Sequence, residues 1–352
     1  MSIQKESGTW SFFVGSYAQS DKPGIYLCEL DRQSGKLWIR LDMDGIVNPS
    51  FIVVDKEASR LYAVSEQENG GVASYAIDSA NGKLSKLSEM PTLGSNPCHL
   101  AVLHEAEKYV LVANYTSAHV NSYALSDNGV FAEMKDIVQH KGSGLWPDRQ
   151  EAAHAHSIIP SQSGQYAYVS DLGIDQIITY RLQEGCFVKH GEVTLPAGSG
   201  PRHFIIHPSE RFAYGINELN NTMTLYSYDP AEGALEIKEH YSTLPEGFTG
   251  ENYPADIHFS TDGRFVYGSN RGHNSLVQFT IDSETGRLDD PKWIGTGGNW
   301  PRNFAVFEDY VIVANQFGNN LVAFHRDTET GMLSSTGHQL AISQPSCIEP
   351  YI

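Results

Sequence analysis

The chain has 352 residues, 40% of them hydrophobic and 19% charged, which suffices for a large buried core. Its formal net charge of −18 repels nucleic-acid phosphates and anionic lipid, so neither is expected as a partner. No stretch approaches the roughly 18 apolar residues of a membrane span, and an anionic substrate would need locally concentrated Arg and His to overcome the overall field.

Residues 1–9 are polar, lack an apolar leader core and read as a short tail on a cytoplasmic protein. An acidic, Gly-bearing turn follows at Asp31 to Leu37. Asp opens such a turn by bonding its own backbone, and Gly supplies positive φ. The first complete unit begins at Pro49-Ser50-Phe51-Ile52-Val53-Val54, with a second apolar strand from Tyr62 to Glu66 and a turn at Asp78 to Leu84. The same order recurs every roughly 45–55 residues, the mark of a repeat architecture. First strands start at Pro97, Ala153, Pro201, Pro254 and Pro301, and second strands span 110–114, 166–170, 214–218, 267–271 and 311–315. The later turns fall at 127–131, 183–187, 229–235, 282–288 and 327–333.

Turns of this kind number seven, but only six complete first strands go with them; the missing strand is Pro345-Ser346-Cys347-Ile348-Glu349-Pro350. The expected fold is therefore all-β: one domain over 1–352, a seven-bladed β-propeller with four antiparallel strands per blade. Strand 345–350 completes the N-terminal blade, a closure that removes exposed sheet edges. The four cysteines (Cys28, Cys98, Cys186, Cys347) are widely spaced, so buried reduced thiols are expected rather than a disulfide framework or a thiolate zinc site.

Strand direction alternates within a blade, so the start of strand one and the end of strand two share a rim, here called the top. Hairpin pairing places Arg202 and His203 beside Asn217 and Glu218, and His154 and His156 beside Ser170 and Asp171. It likewise places Asp256 and His258 beside Asn270 and Arg271, and Asn303 beside Asn315 and Gln316. Innermost strands converge on the central channel, so these side chains should ring its top mouth. The blades starting near 154, 201, 254 and 301 carry His, Arg, Glu and Asp; those near 49 and 97, with the split closing blade, read as mainly structural. A mixed cluster of cations, acids and imidazoles at a concave mouth is a site. The two longest top connections, 140–153 with Trp146-Pro147-Asp148-Arg149 and 245–253 with Phe248, are expected to wall it.

The motifs His154-Ala155-His156-Ser157, Gly200-Pro201-Arg202-His203-Phe204, Asn217-Glu218-Leu219, Ser269-Asn270-Arg271-Gly272 and Pro301-Arg302-Asn303-Phe304 resemble the propeller-type 6-phosphogluconolactonases and the related carboxymuconate-cyclising lactonases. The resemblance runs blade by blade along the chain, and Gly-Pro-Arg-His followed by Asn-Glu-Leu is its most specific part. It implies hydrolysis of a sugar lactone, foremost 6-phosphogluconolactone of the pentose phosphate pathway, without cofactor or metal. It assigns catalysis to His154, Arg202 and Glu218, with His156 competing for the His role, and binding to Arg271.

On that footing Glu218, kept ionised by Arg202, is the expected general base, and His154 either donates the proton or shares the base role. Arg202 is expected either to stabilise the oxyanion or to grip the substrate's anionic group bidentately. Arg271, Arg302 and His203 would bind a phosphate or carboxylate, with His156, Asp256, His258, Asn303 and Gln316 completing the substrate site. Three other readings stay open: a muconate-type lactonising enzyme, a non-catalytic interaction propeller, and a divalent-metal lactonase. The last would draw ligands from His154, His156, His258, Glu218 and Asp256, although Arg202 and Arg271 would repel the cation.

Overall fold

A computed structural model describes residues 8–104 and 107–351, and in it 28 strands form seven four-stranded antiparallel sheets. Blade 1 joins both ends of the chain: Pro345–Pro350 is innermost, followed outward by Thr9–Ser16, Ile25–Asp31 and Leu37–Met43. The closing pair is antiparallel, with Phe13 opposite Glu349 and Val14 opposite Ile348. Most of the expected tail, residues 1–7, lies outside the described residues, and Thr9 already belongs to a strand. The innermost strands of blades 2 to 7 are Ile52–Asp55, Pro97–His104, Ala155–Pro160, Pro201–Ile206, Tyr253–Phe259 and Pro301–Val306. Among the described residues the one helical element is the turn Leu172–Ile174, and no helix is long and apolar enough to cross a membrane.

The period of two along each strand holds the ring together. Phe12 and Val14 point into a cluster shared with Ile312 and Leu321 of blade 7, whereas Phe13 between them packs with Leu61 and Tyr75 of blade 2. Seven such clusters alternate with the blades, one in each gap, so every blade buries both faces against neighbours. The recurrent Tyr of the second strand is explained by the same gap. Tyr214 donates its hydroxyl to Gly286 O (2.6 Å) and Tyr267 to Gly331 O (2.7 Å), each in the acidic turn of the next blade. Gly286 has φ +72° and leaves no room for a Cβ, which would lie 2.6 Å from the Phe212 ring. The acidic turns are thus inter-blade docking points as well as turns. All four cysteines are free, three buried and Cys186 half-buried.

Candidate active site

Regular pairing of an innermost strand sends its side chains sideways into the gaps between blades. The site exists because that pairing is interrupted at one level of the ring. In blade 5, Pro201 pairs with Asn217 and His203 with Ile216, so Arg202 is left unpaired as a bulge. The same shift frees Cys98 in blade 3, His156 in blade 4, Arg302 in blade 7 and Ser346 in blade 1. In blade 6, Pro254 pairs with Asn270 and Ile257 with Gly268, freeing Ala255 and Asp256. A bulge re-aims a side chain out of the sheet register. Here six bulges place unpaired residues around one axis, and a small cavity sits among them, lined by Cys98, Arg202, Arg302 and Ser346 together with Ser50, Phe51, His203 and Asn303.

One wall is a buried charge cluster. The Glu218 carboxylate, just beyond the second strand of blade 5, meets three guanidinium groups: Arg202 Nε at 3.2 Å, Arg271 at 2.5 Å, and Arg149. Burial alone would raise its pKa, but Arg271, Arg149 and Arg202 outweigh burial and hold the carboxyl down at about 2. Arg149 comes from the long 140–153 connection and also lies over the ring of Tyr253, 5.5 Å from its centroid. The two long top loops therefore meet at the site. Arg202 also donates to Ala255 O; its own burial, then the charges of Arg271 and Arg302, pull its guanidinium below the ordinary value. Arg302 differs from the other site arginines. Among the described residues it makes no hydrogen bond or ion pair, and it rests over the Tyr17 ring at 5.3 Å.

The floor is a set of contacting rings. His203 lies 5.4 Å from His99, 5.6 Å from His156 and 6.2 Å from Phe51, centroid to centroid. Burial first, then the nearby Arg202 charge, lower His203 to about 4, so it is neutral at pH 7. His156 and His99 are pushed down as well, by burial foremost. His203 Nδ1 donates to Asp256 Oδ1 at 2.7 Å, which leaves Nε2 as the acceptor, 3.2 Å from Arg202. Asp256 is saturated: its other oxygen accepts from His258 Nε2 (2.8 Å), Asn303 Nδ2 (2.6 Å) and the Phe304 amide (3.1 Å). Despite burial, its carboxyl is held far below the ordinary range by His258 and His203.

The residues expected from the sequence divide accordingly. Arg202, Glu218, Arg271, His156, His203, Arg302, Asn303 and Asp256 are brought into one constellation. His154 adjoins it through Tyr115: its Nδ1 is 3.1 Å from Tyr115 O, its Nε2 is 3.1 Å from Glu151, and its ring stacks on Tyr115, whose ring also meets His156. The charges of Arg202, Arg302 and Arg271 all act on the His156 imidazole. His258 sits one step down the channel against Phe304, where the Asp256 carboxylate outweighs burial and raises it. Gln316 is buried but does not line the cavity; its backbone N–H donates to Trp300 O. The five side chains weighed as metal ligands are not gathered around a common point, because arginines enclose Glu218 and His203, His258 and Asn303 enclose Asp256.

The expected division into four chemical and three structural blades is corrected. Blade 2 supplies Ser50 and Phe51, blade 3 supplies Cys98 and His99, and blade 1 supplies Ser346 and Tyr17. These residues carry no net charge, so charge asymmetry could not reveal them. Arg149 was missed as a site residue because a loop's course is not written in strand periodicity.

A ring of blades whose neck gathers buried arginines, carboxylates and imidazoles defines a propeller with an enzyme-like candidate site. The chain belongs to the seven-bladed β-propeller lactonase family, whose pattern matches residues 11–350. It is similar to the 6-phosphogluconolactonase of Bacillus subtilis strain 168, with 34% identity over 86% of this chain and 87% of that one. The 6-phosphogluconolactonase of Formosa agariphila is also 34% identical, over 96% and 99% of the two chains. Among solved structures, the periplasmic gluconolactonase of Pseudomonas aeruginosa superposes with a TM-score of 0.92 at 29% identity, covering 97% and 99%.

Proposed function

We propose that the protein hydrolyses a sugar lactone bearing an anionic group, with 6-phosphogluconolactone as the foremost substrate. The observation that carries this reading is the cavity itself: an unpaired Arg302 and a partly paired Arg202 share it with a neutral, carboxylate-oriented His203. Arg302 takes the phosphate, being the site arginine with no partner to give up. Arg202 faces the lactone carbonyl and stabilises the oxyanion. His203 Nε2 accepts the proton of the attacking water, while Asp256 fixes the tautomer and balances the imidazolium. Collapse of the tetrahedral intermediate breaks the ring C–O bond, and the departing alkoxide takes that proton back. One proton is released to solvent as the product acid ionises.

Glu218 is assigned a different part from the expected base. Its oxygens are taken up by Arg149, Arg202 and Arg271, and as their shared counter-ion it sets their positions. His156 supports the same wall, and His154 places Tyr115. The free thiols support a reducing, cytoplasmic setting.

The test is hydrolysis of freshly generated 6-phosphogluconolactone, followed by proton release above the spontaneous rate, beside δ-gluconolactone and a carboxylated muconolactone. Acceleration of the phosphorylated lactone supports the reading. Acceleration of the muconolactone alone replaces it with the carboxymuconate chemistry, and no acceleration of any lactone refutes it.

A further inference from the structure

The proposed chemistry leaves one carboxylate at the neck without a role. Glu66 follows the second strand of blade 2, on the far side of the ring from Glu218. Its Oε2 accepts from Tyr17 Oη at 2.7 Å and from Ser50 Oγ, and its backbone is tied to Asn48 in both directions. Ser50 lines the cavity with Arg302 and Arg202, and the Tyr17 ring supports Arg302. The Glu66 charge is felt by both Cys98 and Arg302, which line the cavity. Two fixed donors thus hold one oxygen, and the other, Oε1, takes no hydrogen bond from the described residues. Tyr17 is half-buried, and its hydroxyl is kept protonated, by loss of solvent above all, and so remains a donor.

A carboxylate is an acceptor only. Beside a site that grips one anion through Arg302, it pairs with a hydroxyl and repels a further carboxylate. Sites built to hydrogen-bond a substrate hydroxyl discriminate strongly against analogues that lack it, because the buried acceptor is then left unpaired. Repulsive elements sharpen the preference further.

We infer that Glu66, held by Tyr17 and Ser50, is the specificity determinant of this site: its free oxygen selects a polyhydroxylated lactone with a single anionic group and rejects lactones carrying a second carboxylate. This deepens the lactonase reading and rests on it. In turn it separates sugar lactones from muconate-type lactones on a residue outside the reacting centre.

The experiment compares wild type, Glu66→Gln and Tyr17→Phe in two readouts. Calorimetry measures binding of gluconate, a polyol monoanion, against tricarballylate, a tricarboxylate without hydroxyls. Kinetics measures kcat/KM for δ-gluconolactone against a carboxylated muconolactone. Glu66→Gln is expected to narrow the gluconate preference by about tenfold or more, weakening gluconate and strengthening tricarballylate, with Tyr17→Phe intermediate. A binding ratio unchanged within about twofold, in variants that melt like wild type, overturns the inference. If the ratio shifts as expected while wild type accelerates no lactone, the subsite stands and the lactonase reading is what fails.

Discussion

Replacing Glu218 by Gln tests whether one carboxylate organises three arginines. In the native protein the carboxyl lies at about 2 against an ordinary 4.5, a difference worth about 3 kcal/mol at 1.36 kcal/mol per unit. The folded value is depressed, so this stabilisation is complete above pH 4.5 and is lost as pH falls toward 2. The amide keeps the shape and removes the charge, leaving Arg149, Arg202 and Arg271 facing one another; breaking a buried pair in this way costs about 3–5 kcal/mol. With an unfolding entropy of about 2.1 cal/mol/K per residue, a loss of about 3 kcal/mol lowers Tm by about 4 °C for a chain of 352 residues. Scanning calorimetry at pH 7 and pH 3 should show that deficit at neutral pH and a smaller one in acid. Activity should fall by about 10²–10³ with the loss of arginine alignment. A variant that melts like wild type at pH 7, or whose deficit does not shrink in acid, refutes the charge assignment; full activity in a folded variant refutes the positioning role.

Asp256→Asn cannot accept from His203, His258 and Asn303 together, so His203 loses its fixed tautomer; kcat should fall by about 10²–10⁴ with KM little changed. A rise in KM with kcat intact would instead place His203 in binding. Arg302→Met should raise KM for the phosphorylated lactone by roughly 10- to 100-fold, as a charge-assisted bond of about 1.5–3 kcal/mol is lost, and should leave δ-gluconolactone unaffected; equal effects on both would remove the phosphate from Arg302. Glu349, deeper in the channel, is raised by burial to about 7, so the stability it lends below pH 4.5 is lost as pH rises through 7. Glu349→Gln should therefore raise Tm at pH 8 by up to about 4 °C and leave it nearly unchanged at pH 5, whereas equal shifts at both pH values would show that the group is not titrating.

The fold was legible because every feature that closes the ring is repeated. The Tyr that bonds the neighbouring turn, the Gly that clears an aromatic ring and the two-residue alternation that fills both gaps must recur in each blade, and repetition is what a single sequence displays best. Pairing arguments also brought Arg202 near Glu218, since the two lie at the same end of one hairpin. The site depends on departures from that regularity. A bulge is one skipped partner in a ladder; it leaves hydrophobic alternation on either side nearly intact, so nothing in the pattern around Cys98 or Ser346 announces that their side chains turn toward the axis. Only where the bulged residue is charged, as at Arg202 and Arg302, does composition betray it. The apparent concentration of chemistry in four blades is therefore an effect of which bulges carry charge. The interrupted register opens the neck of the ring, and the residue type at each interruption sets its chemistry: Arg202, Asp256 and Arg302 in blades 5, 6 and 7, an imidazole in blade 4, and a thiol and a hydroxyl in blades 3 and 1.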